Sequence, residues 1–135
     1  MTAEPKKSSR ATAPTDAPES TKSVECGIIM PISATDTHTE KHWSNVQVLL
    51  HRAIRKADMA PINVWSGEVI DRISERIVGN IFSHDIIVAD ISDLNPNVML
   101  ELGLRLASKK PTIVIANRGV DIPFDIRDCH VLQYP

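Results

Sequence analysis

Apolar residues along this chain come in two rhythms. Short unbroken runs occur at 24–30 (VECGIIM), 62–65 (INVW), 85–91 (DIIVADI), 112–116 (TIVIA) and 130–134 (HVLQY). Such runs suit strands buried on both faces of a parallel sheet. Between them, apolar residues return every three or four positions, as on amphipathic helices. Residues 39–58 put Trp43, Val46, Leu50, Ile54 and Ala57 on one stripe behind a Thr39 N-cap, and Pro61 stops the helix. A second helix is predicted over 67–83, capped by Ser66, with Ile70, Ile73, Ile77 and Ile81 inward and Glu68 and Asp71 in its first turn. A third runs from Pro96, behind an Asn95 N-cap, to about Ser108, packing Met99, Leu102 and Leu106. The order β-α-β-α-β-α-β and a final β predicts an α/β domain whose parallel sheet carries helices on both faces. Ligands of such sheets bind beyond the carboxyl ends of the strands, which singles out 31–42, 65–71 and 90–101.

The first 23 residues break the pattern. They hold no Val, Ile, Leu or aromatic residue and are rich in Ala, Pro, Ser and Thr, so they read as a disordered tail ahead of one domain at 24–135. With 42% hydrophobic residues but only 4% aromatic, the core must be aliphatic. A net charge of -2 argues against a nucleic-acid binder. No apolar run approaches the roughly 18 residues of a membrane span, and MTAEPKKSSR has no apolar stretch to make a signal peptide. Cys26 and Cys129 are too few for a disulfide scaffold and read as reduced thiols of a cytoplasmic protein.

The stretch 90–103, DISDLNPNVMLELG, concentrates the candidate chemistry. Asp90, Asp93, Asn95 and Asn97 share one strand-to-helix loop. Glu101 lies about a turn into the helix, whose positive end favours an ionised carboxylate. Such a glutamate at the mouth of a sheet can act as nucleophile or as electrostatic stabiliser, and asparagines can bind sugar hydroxyls. The alternative is that Asn95 and Asp93 only cap the helix and that Glu101 is a surface residue. His38 and His42 are four apart, but no further ligand cluster accompanies them, so no metal site is predicted, and His42 reads as exposed. His84 and His130 read as strand-edge residues. The glycines are isolated and form no phosphate loop.

The segments CGIIMP (26–31), GEVIDRI (67–73), HDIIVADISDLNPNVMLELGLRLASKKPTIVIA (84–116) and IPFDIRD (122–128) resemble the nucleoside 2-deoxyribosyltransferase-like superfamily, in particular its nucleotide N-glycosidase and Toll/interleukin-receptor-like branches. The resemblance implies a flavodoxin-like five-stranded parallel sheet of order 2-1-3-4-5 and cleavage or transfer at an N-glycosidic bond, without a cofactor. It implies Glu101 as nucleophile, and an acid assisting the leaving base at Asp71, or else at Glu75. For substrate binding it implies Met30 and Pro31 at the end of the first strand, Asp90 at the end of the third, Asn95 and Asn97 in the loop, and Phe124 in the Pro-Phe-Asp element. Trp65 or Trp43 would supply a sugar-facing aromatic. The implied partners are a nucleoside or nucleotide and further copies of the chain as a homo-oligomer. Two other readings stand beside this one: an NAD glycohydrolase of the defence type, and a catalytically silent nucleotide-binding or interaction module. Whichever holds, Glu101 is expected to be exposed at the carboxyl-end mouth of the third strand.

Overall fold

The computed structural model describes residues 22–64 and 75–135, with the side chain of Glu75 also outside the description. Residues 1–21 of the predicted 1–23 tail, Trp65, Asp71 and the start of the predicted second helix lie outside the described residues.

Five strands form one parallel sheet: β1 (Glu25–Ile29), β2 (Ala60–Asn63), β3 (Ile86–Asp90), β4 (Thr112–Asn117) and β5 (Val131–Tyr134), in the order β2-β1-β3-β4-β5. Both the parallel sheet and its order agree with the flavodoxin-like expectation. Among the described residues three helices connect the strands: α1 (Glu40–Lys56), α2 (Glu75–Ser83) and α3 (Pro96–Ala107). The step from β4 to β5, predicted as a loop, contains only a short 3-10 turn at Phe124–Ile126.

Strand alternation sorts the core into two layers. Cys26, Ile28, Met30 and Val88 pack under Trp43, Val46 and Ile54 of α1. Ile29, Ile87, Ala89, Val114 and Ala116 point the other way, against Ile77 and Ile81 of α2 and Val98 and Leu102 of α3. Each fully buried aliphatic side chain here contributes about 1.5–3 kcal/mol. The thiol of Cys26 is part of this packing, and burial pushes its pKa up, as suits a reduced, unreactive cysteine.

Helix ends follow local chemistry. Thr39 caps α1 by accepting from the His42 N–H at 3.2 Å, and Arg55 and Lys56 sit at the opposite pole of its dipole. Asn95 caps α3 with Oδ1 accepting from the N–H groups of Asn97 and Val98, and Pro96 opens the helix. Asp58 and Lys109, just past the ends of α1 and α3, take left-handed φ values of 59° and 57°.

Two features sit away from the carboxyl end. Arg105 of α3, fully buried, donates to the carbonyls of Ile81, His84, Asp85 and Pro111, so it pins the end of α2 and the entries of β3 and β4 to α3. The other is in β2. The N–H groups of Ala60 and Val64 bond to Val24 and Ile28 of the β1 segment, so alternation turns Pro61 to the outer side of this edge strand.

Candidate functional site

In this sheet order the connections leaving β1 and β3 diverge to opposite faces, which opens a crevice between their carboxyl ends. Two loops border it: residues 30–39 after β1, and 91–95 after β3.

Asp93 ties the loops together. Its carboxylate accepts from the hydroxyls of Thr35 and Thr37 and from His38 Nδ1, the last at 2.5 Å. Thr35 further binds the first loop to itself, with its N–H on the His38 carbonyl at 2.8 Å and its hydroxyl accepting from Trp43 Nε1 at 3.3 Å. Burial works against ionisation of Asp93. The donors Thr35, Thr37 and His38, with the charge of His38, outweigh it and hold the carboxyl below its ordinary range. The His38 ring stacks on His42, centroids 4.1 Å apart, and meets Trp43 edge-on at 5.3 Å. His42, predicted exposed, is half-buried, and its Nε2 has no hydrogen-bond partner among the described residues.

Asp90 closes β3 and is fully buried. Its Oδ1 accepts from the Ser92 N–H at 2.9 Å and the Ser92 hydroxyl at 2.6 Å, and its Oδ2 from the Tyr134 hydroxyl at 2.7 Å. The Asn117 N–H donates to the Ser92 hydroxyl at 2.8 Å, so the network joins the ends of β3, β4 and β5. Burial, and then the neighbouring Asp90 carboxylate, push the Tyr134 pKa far above its ordinary value. Between Ser92 and the helix, Leu94 takes a left-handed φ of 48°, an unfavourable backbone state for a leucine, while its side chain packs against the α2–α3 core.

Glu101 corrects an expectation. It was predicted to be exposed at the mouth, yet only 1% of it is accessible. The inward side of α3 carries Val98, Glu101, Leu102 and Arg105, so helical geometry turns Glu101 towards the protein instead of solvent. Met30 and Pro31 are also buried, and Met30 packs in the α1-side core with Trp43, which is 1% exposed and so presents no aromatic face to a sugar. Asn97 is exposed, while the Asn95 side chain is engaged as a cap. Phe124, at 81% exposure, stands out on the 3-10 turn. His84, predicted at a strand edge, is buried against Gly27, with Nδ1 3.5 Å from Glu25 Oε2.

The carboxyl end of β3 and the loops beside it thus carry Asp90, Asn95 and Asn97, and also a His38–Asp93 pair that sequence reading did not join. The signal for that pair was present in the density of hydroxyl and imidazole groups in TDTH (35–38), but pairing across 55 residues needs the sheet order. Among the described residues no group of three or more His, Cys, Asp or Glu side chains could hold a metal ion, and no helix is long and apolar enough to cross a membrane. A cavity of about 570 Å³ runs along one face of α1 from Ser44 to Arg55 and shares no residue with the crevice.

No family model and no curated protein matches the chain. Among solved structures it is similar to a 2-desoxiribosyltransferase from Leishmania mexicana, with 22% identity and a TM-score of 0.46 over 69% of this chain. The chain spans 64% of that protein, slightly under two thirds of its length.

Proposed function

We propose that the protein cleaves or transfers at the N-glycosidic bond of a nucleoside or nucleotide, with Glu101 as the nucleophile. The observation that carries this reading is the place of Glu101 on α3, the helix that leaves the central strand β3 through the 91–95 loop. The residue is enclosed on that helix, which opens at the carboxyl end of the central strand, where sheets of this topology bind ligands. The sequence resemblance of the Asn-Pro-Asn-Val-x-x-Glu-Leu-Gly element supports the same role.

Breaking a C1′–N bond develops positive charge at C1′. A carboxylate at C1′ stabilises that charge, and it can capture C1′ as an ester, dividing one difficult step into two. Asp71 is the proposed acid for the departing base. Asp90, with both oxygens held by Ser92 and Tyr134, shapes the loop that approaches the sugar.

Glu101→Gln keeps the size of the side chain and removes its charge. With purified protein and a panel of nucleosides, nucleotides and NAD, free-base release is expected to fall roughly 10²–10⁴-fold in kcat, with little change in ligand affinity. Near-normal turnover by this variant overturns the nucleophile assignment. A wild type that binds nucleotides and releases no base from any member of the panel makes the protein a binding module.

A further inference from the structure

We propose that the cavity along α1 is a binding site, apart from the crevice, for a small molecule that carries phosphate, with Arg52 and Arg55 at its phosphate end and Val48 against its apolar body. Such a site stands independently of the role given to Glu101.

The period of the helix sets out this face. Ser44, Gln47, Val48, His51, Arg52 and Arg55 follow the spacing i, i+3, i+4, i+7, i+8 and i+11, so they share one side of α1, while Trp43, Val46 and Ile54 turn to the core. From Ser44 to Arg55 the helix rises by about 16 Å. The volume of about 570 Å³ is that of a small-ligand site. His51 Nε2 lies 3.2 Å from Asn63 Oδ1, which ties this face to the end of β2.

The chemistry of the face is uneven along its length. At one end, Arg52 and Arg55 are exposed and have no ion-pair partner among the described residues. No carboxylate is among the described residues lining the cavity. The carboxyl end of α1 sets roughly half a negative charge against these cations, and two arginines with the adjoining Lys56 exceed it. Arginines three apart on a helix are neighbours, and each offers a planar fork that fits phosphate. A hollow lined by one sign of charge concentrates the opposite sign. In the middle, Val48 is 58% exposed and offers apolar area to bury. At the far end, Gln47 and Ser44 supply an amide and a hydroxyl for hydrogen bonding.

An anionic end, an apolar middle and a polar far end describe a phosphorylated small molecule with a ring or other apolar body. An acidic peptide would need cations spread along the groove, whereas here they are gathered at one end. The crevice offers phosphate the reverse environment. Its loops at 30–39 and 91–95 hold Asp36 and Asp93 and no lysine or arginine.

Calorimetric titration of the full chain tests the site with three probes: ADP, inorganic pyrophosphate and adenosine. ADP and pyrophosphate are expected to bind, ADP the more tightly, and adenosine far more weakly than either. Arg52→Gln combined with Arg55→Gln should weaken both phosphate probes by about tenfold or more. Val48→Ser should weaken ADP and spare pyrophosphate. Arg118→Gln, which removes an exposed arginine elsewhere on the surface, should change neither. All four side chains are exposed, so the melting temperature should hold in every variant. In backbone amide spectra, ADP should shift the signals of residues 44–55. Failure of the wild type to bind either phosphate probe saturably overturns the proposal. So does an equal loss in Arg118→Gln, which marks diffuse charge attraction, and so do ADP shifts that leave 44–55 untouched, which put the ligand in another place. An oligoglutamate peptide that shifts 44–55 at lower concentration than ADP overturns it in favour of a protein partner.

Discussion

The hydroxyl of Tyr134 sits between Asp90 and Ser92, 2.7 Å from Oδ2 of the one and 3.1 Å from the hydroxyl of the other. Its raised pKa has a definite linkage consequence. In the folded state the phenol stays protonated at pH values where the unfolded chain has already released that proton. The stabilisation is therefore complete below about pH 10, the unfolded value, and is lost as pH rises above it towards the folded value. Because this is the chain's single tyrosine, absorbance of the tyrosinate reads the group directly. The tyrosinate is expected to appear only together with alkaline unfolding, and Tyr134→Phe should lower stability by about 1–3 kcal/mol at neutral pH by leaving a carboxylate oxygen short of a donor. Titration near pH 10 in the folded protein would contradict the network.

At the scale of elements, β1 threads a narrow passage. A Cβ added at Gly27 would lie 2.7 Å from His84 Cδ2 and 3.1 Å from Ile87 Cγ1, both parts of enclosed side chains. Gly27→Ala is expected to cost about 1–3 kcal/mol, seen as a lower melting temperature, while Gly103→Ala, with nothing within 4 Å of its added Cβ, should raise helix stability. The same strand shows what the sequence made legible. Its apolar run, the Pro96 start of α3 and the Asn95 cap are local signals, read within a few residues, and β1, β3 and α3 appear where those signals put them. The site was less legible because its decisive contacts are not local. Asp93 and His38 are 55 residues apart, Asp90 and Tyr134 are 44 apart, and nothing within either segment announces its partner. Glu101 was misjudged for a related reason: polarity suggests exposure, whereas its place beside Val98, Leu102 and Arg105 on α3 decides burial.

For the whole molecule, the two ends of the sheet divide the labour. The amino-terminal rim is locked by Arg105 on four carbonyls, and the carboxyl-terminal rim carries the loops and the crevice. The two lateral edges are just as unequal. At β2, Pro61 stands where an outward N–H would invite another strand, so that side is blunt. At β5 the backbone has, among the described residues, a partner on one side only, β4, and Leu132 is half exposed beside it. Fibre growth needs a molecule that is adhesive at both edges, because each added copy must offer the next one a template. A sheet with one blunt edge can join another copy only through β5 against β5, which closes about a two-fold axis and stops at a pair. Restoring the missing donor with Pro61→Val should therefore release open-ended association, read by light scattering as species beyond a dimer that bind an amyloid dye. If wild type and variant grew alike, Pro61 would not be the stop. On this view a single edge proline sets an upper limit on how far the chain can polymerise through its own backbone.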